Sequence, residues 1–113
     1  MNSSLYEEFK DRRRQGNESV LGEDYLPFKR FYALDSRAYE DGAVPKKYKE
    51  LTGLSVSLAL RCNDCVLYHI DQAYKSGCTK AEIIESMNIA LVIGGSIVIP
   101  HLRFGMQALN EIY

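Results

Sequence analysis

No sign of charge predominates in this chain. Fourteen Lys and Arg face fifteen Asp and Glu, a formal net charge of −1 at pH 7. That balance excludes the global field that draws in nucleic acid or an anionic membrane surface. The one basic run, Lys10 to Arg14, is broken by Asp11 and reads as a solvated helix face rather than a phosphate-binding arm. Long apolar runs are missing too. The longest, Ile89 to Ile99, is too short to span a bilayer and is interrupted by Gly94, Gly95 and Ser96. The opening segment, MNSSLYEEFKDRRR, lacks the apolar centre of a secretory signal. The expectation is a cytoplasmic protein that contacts neither nucleic acid nor membrane. Alternating strand patterns, internal repeats and low-complexity linkers are absent as well. Cysteine is scarce, with three in 113 residues. In a reducing compartment such thiols are reduced, catalytic or metal-bound rather than a disulfide framework.

What is present is helical periodicity from end to end. The length suits a single domain, residues 1–113, with a real but small core. Ser4 with Glu7 reads as a capping box for a short charged helix that stops near Gly16, followed by a loop, GNESVLGED. A second helix opens near Pro27, carries Phe28, Phe31, Tyr32, Ala38 and Tyr39, and ends at Gly42. A third opens at Pro45, with a broad apolar face of Leu51, Leu54, Val56, Leu58 and Leu60. A fourth begins around Cys62 and stops at Gly77. Thr79 and Glu82 form a second capping box, for a helix that Gly94 and Gly95 break. A last helix starts near Ser96 and carries Leu102, Phe104, Met106, Leu109 and Ile112. The fold class is therefore all-α, with about six helices around a central antiparallel hairpin of the third and fourth. The run from Ile89 to Ile99 is apolar almost all round, and so small a chain has little protein to hide it. Self-association into a symmetric homo-oligomer is the simplest remedy.

One stretch carries chemistry: RCNDCVLYHI, residues 61–70. On one helix the spacings of three and four bring Cys62, Cys65 and His69 onto a single face. At a helix start, free N–H groups and the dipole favour a thiolate. The stretch can thus supply an activated thiolate, a second thiol to resolve it and an imidazole to carry protons. It can also supply zinc ligands, with Cys78, Glu50 or His101 as a fourth, although a second pair from another segment is missing. The blandest reading makes the cysteines small hydrophobes and His69 a satisfied core histidine. Glu50, twelve positions before Cys62, reads from its surroundings in KKYKEL as a surface residue; a tight hairpin would instead turn it inward beside His69. Cys78 reads as structural, packed on Ile83, His101 as an interface or surface residue, and Tyr68 as packing beside His69.

Glu50, eleven residues, Cys62-Asn-Asp-Cys65, three residues and His69 together resemble the signature of the alkylhydroperoxidase D-like branch of the carboxymuconolactone decarboxylase family. The resemblance covers roughly residues 45–110, a core of 45–113 against more variable helices in 1–44. It implies an all-helical subunit in trimers or hexamers and a thiol peroxidase that needs no metal, haem or flavin. Residue by residue, it implies that Cys65 is the peroxidatic thiol, Cys62 the resolving thiol, and Glu50 and His69 a proton relay. It further implies a hydroperoxide substrate and an external dithiol reductant, thioredoxin-like or a lipoyl protein. The alternative is a non-peroxidase member, a thiol-disulfide oxidoreductase or a helical binding protein with an inert Cys-x-x-Cys. The decarboxylase branch does not use the paired cysteines. There is one departure. The best-known peroxidases of the family have a histidine where this chain has Asp64, an anion expected to disfavour a Cys65 thiolate unless it turns to solvent.

Overall fold

The structure, a computed structural model, describes residues 4–113, and these form helices and connecting turns without a strand. Six α-helices follow in order: α1 (Leu5–Gly22), α2 (Leu26–Ala38), α3 (Lys46–Ala59), α4 (Asn63–Lys75), α5 (Lys80–Gly94) and α6 (Ile99–Ile112). A single 3-10 turn, Ser96–Val98, leads into α6.

The local signals set most of these bounds. Ser4 caps α1 by accepting a hydrogen bond from the Glu7 N–H. Thr79 and Glu82 close a full capping box on α5. Gly77, with φ of +87°, takes the left-handed conformation just beyond α4, where a side chain would be strained.

Three expectations are corrected. The first helix does not stop near Gly16: α1 runs on to Gly22, so all of GNESVLGED but its last two residues is helix rather than loop. A glycine within a good helical register costs stability without ending the helix, and no left-handed cap forms there. The second helix ends at Ala38, not Gly42, because residues 39–45 are needed to turn the chain into α3. In that turn Asp41 Oδ1 accepts the Lys46 N–H at 2.7 Å, satisfying one of the free donors at the start of α3. The broad face expected on α3 divides: Leu54 and Leu58 are buried, whereas Val56 and Leu60 face outward.

α3 and α4 pack as an antiparallel hairpin through a three-residue turn, and α5 lies along the other side of α3. Leu54, Leu58, Val66, Ile70, Ile83, Met87, Val98 and Leu109 form the main core between these helices and α6. α1 docks on the back of α4 and α6: Phe9 packs with Leu67 and Ala108, the Tyr6 hydroxyl donates to buried Asp71, and Glu111 accepts the Leu5 and Tyr6 N–H groups. α2 buries no residue at all. Among the described residues, no helix is long and apolar enough to cross a membrane.

Candidate functional site

The turn between α3 and α4 places the two cysteines. Arg61 adopts φ of +61°, ending α3 and setting Cys62 as the N-cap of α4. There the Cys62 sulfur occupies the place of a capping oxygen and accepts the Cys65 N–H at 3.2 Å. The two residues are joined as a disulfide, with Cα atoms 5.3 Å apart. Cys65 lies in the first turn of α4 and is exposed; Cys62 is half-buried.

One turn further along α4, His69 points back over α3. Its Nδ1 lies 2.9 Å from Glu50 Oε1. Glu50 is fully buried, which overturns the surface reading of KKYKEL and matches the inward position that a tight hairpin gives it. The cause is the hairpin, which brings the first turns of α3 opposite the middle of α4. The other carboxylate oxygen, Oε2, accepts a hydrogen bond from Lys46 Nζ at 2.7 Å. Burial pushes the Glu50 carboxyl up, but the hydrogen bonds from His69 and Lys46 outweigh it and hold the group below the usual carboxylate range. A carboxylate only accepts, so Nδ1 carries the proton of this bond and Nε2 is left for other partners.

Two residues that sequence reasoning missed shape the seat of the imidazole. Gly53 lies beneath the ring: a Cβ there would sit 2.5 Å from Cε1 and 2.7 Å from Nε2 of His69. Its position three residues after Glu50, on the same helix face, was the available signal. Tyr39, just after α2, packs on the other side, its ring centroid 5.4 Å from that of His69. Tyr68 closes the end of the ring edge-on at 5.1 Å. Burial pushes both tyrosine hydroxyls up, so they stay neutral at physiological pH.

Cys65 and His69 open into one cleft of about 670 Å³, walled by Phe9, Arg12, Arg13, Tyr39 and Tyr68. Asp64 lies at its edge but turns to solvent, where it pairs with Arg12 at 2.9 Å. The anion beside Cys65 is therefore offset by a cation from α1. Arg13 lies over the Tyr68 ring, 4.4 Å from its centroid.

The remaining candidates sit apart. Cys78 is buried among core side chains with Ile83, and burial pushes its thiol up, as befits an inert thiol. His101 is half-buried, and its Nδ1 lies 2.8 Å from the Asn63 side-chain oxygen, which ties α6 to the start of α4. Among the described residues, no three His, Cys, Asp or Glu side chains are grouped to hold a metal ion.

The fold and site define a class: a small helical protein with a disulfide at a helix start and a histidine–carboxylate pair behind it. The sequence profile of the carboxymuconolactone decarboxylase family matches residues 27–107, and the chain belongs to that family. It is similar to a crystallographically solved protein of Thermotoga maritima, at 48% identity and a TM-score of 0.90 over 95% of this chain and 94% of that one. It is similar also to a crystal structure of a Thermotoga maritima carboxymuconolactone decarboxylase family protein possibly involved in antioxidative response, at 47% identity and a TM-score of 0.87 over 93% of this chain and 89% of that one. A Legionella pneumophila family member, solved in its apo form, shares the fold at 24% identity, with a TM-score of 0.89 over 97% of this chain and 98% of that one. An uncharacterised Cupriavidus necator protein is 32% identical over 79 residues, 70% of this chain and 67% of that one.

Proposed function

We propose that the protein is a thiol-dependent peroxidase that reduces hydroperoxides through the Cys62–Cys65 pair. The observation that carries this reading is the opening of Cys65 and His69 into one cleft, with Glu50 sealed behind the imidazole. The antioxidative response attached to the Thermotoga relative agrees with it.

In the reduced enzyme, His69 takes the Cys65 proton, directly or through water, and Glu50 balances the charge the imidazole gains. The Cys65 thiolate attacks the terminal oxygen of the hydroperoxide. The S–O bond forms as the O–O bond breaks, and the departing alkoxide takes a proton from His69 to leave as alcohol. Cys65 is then a sulfenic acid. The Cys62 thiol attacks its sulfur as it loses its proton; the S–S bond forms as the S–O bond breaks, and the departing oxygen takes up that proton and leaves as water. An external dithiol, thioredoxin-like or on a lipoyl protein, reopens it by exchange and is itself oxidised. The balance is one hydroperoxide and one dithiol converted to alcohol, water and disulfide.

The proposal extends to a cytoplasmic homo-oligomer. Val56, Leu60, Ile89 and Ile93 surround an open groove of about 430 Å³, and beside it Val92 and Ile93 are 74% and 76% exposed. A second copy of this apolar face is the occupant that matches it.

Cys65→Ser and Cys62→Ser test the chemistry. Cys65→Ser is expected to abolish turnover of cumene hydroperoxide with a dithiol. Cys62→Ser is expected to permit one oxidation, trapped as a sulfenic acid adduct, and no cycling. Normal turnover by Cys65→Ser would show that Cys65 is not the peroxidatic thiol and overturn the assignment.

A further inference from the structure

We propose that Lys46 is a positioning residue of this site: its ammonium holds Glu50 charged, and so keeps His69 turned with Nδ1 on Glu50 and Nε2 free. The inference rests on the peroxidase reading for its purpose, but its geometry stands alone. Glu50 is fully buried and has two acceptor oxygens, one on His69 at 2.9 Å and the other on Lys46 at 2.7 Å. An isolated carboxylate at such a depth takes up a proton to escape the cost of burial.

The surroundings leave Lys46 as the only full positive charge in direct contact with Glu50 among the described residues. α4 contributes His69 and Tyr68, and the segment after α2 contributes Tyr39. Cys78, on the turn before α5, lies near enough to feel the charge of Glu50. On α5, Glu82 is engaged by Lys47 at 3.2 Å, and within α3 Lys49 is spent on the Ala38 and Glu40 carbonyls. Asp35 lines the cleft and adds a further anion rather than a cation. Lys46 is held for the task from two sides: Asp41 accepts its backbone N–H, and its Nζ lies 5.9 Å from the Tyr39 ring centroid.

Removing the charge leaves burial to push the Glu50 carboxyl up. Once protonated, Glu50 no longer supports a charged imidazole, and proton transfer from Cys65 weakens. The loss therefore appears first on the acid side and advances toward neutral pH.

The test uses the reduced full chain as wild type, Lys46→Met, Lys46→Gln and Lys46→Arg. Cys65 alkylation by iodoacetamide and reaction with cumene hydroperoxide are both followed across pH. The acid limb of Lys46→Met and Lys46→Gln is expected to move up by about one pH unit, a tenfold loss of rate at a fixed pH on that limb. Lys46→Arg restores the charge and is expected to follow the wild type. An unmoved acid limb in both neutral variants overturns the inference, as does an Arg variant displaced as far as they are. Alkylation needs no peroxidase activity. A wild type inert to hydroperoxide would therefore defeat the peroxidase reading while leaving Lys46 tested.

Discussion

Gly53 is the residue on which the imidazole depends most directly. Its missing side chain is the space His69 occupies, so Gly53→Ala forces the ring off Glu50 or the two helices apart. An ångström of displacement at a reacting group costs about a hundredfold in rate, and Gly53→Ala is expected to lose hydroperoxide turnover on that order. Steady-state kinetics checks this, with circular dichroism to show that the helices persist. Unchanged turnover would place His69 outside the chemistry. At this scale the sequence was only partly legible. Cys62, Cys65 and His69 stood out because they share one helix, where spacing alone puts them on a face. Glu50 was legible only through the resemblance, because its burial depends on partners across a hairpin and on Lys46, four residues before it. Asp64 looked harmful to Cys65 for the same reason, since Arg12 arrives from a helix fifty-two positions away.

At the scale of elements, α1 is the clearest departure from expectation. Gly16 lies within it with open space where a Cβ would be. Gly16→Ala is therefore expected to stabilise the protein by about 1 kcal/mol, the ordinary difference between these residues in a helix interior. Urea denaturation reads the change, and destabilisation would indicate a break in the helix at that point. The other elements were legible where a side chain closes the end. Thr79 with Glu82, and Cys62 at the head of α4, declare themselves locally. The end of α2 was not legible, because Gly42 is a stop signal with no helix left to stop. Pro45 stands at the head of α3, and Asp41 closes the turn before it on the Lys46 N–H.

For the whole molecule, the unresolved balance lies on the surface. α2 presents Phe31 and Leu34, each 66% exposed, and the α5 end presents Val92 and Ile93. So much apolar surface on a chain of 113 residues is the strongest argument for assembly. The run from Ile89 to Ile99 made this side of it legible in the sequence; the α2 face was not, because Phe28, Phe31 and Tyr32 recur at helical spacing whether or not a core covers them. Ile93→Glu is expected to shift the protein to a smaller species by sedimentation, with the disulfide site intact. A wild type already monomeric at working concentration would contradict the assembly.

The peroxidase reading rests most directly on the speed and destination of thiol oxidation. Fully reduced protein mixed with cumene hydroperoxide in a stopped-flow instrument, followed by peptide mass mapping, measures both. Rapid loss of two thiols, a Cys62–Cys65 disulfide and an untouched Cys78 are the expected result. Thiols that oxidise no faster than a free cysteine would contradict it.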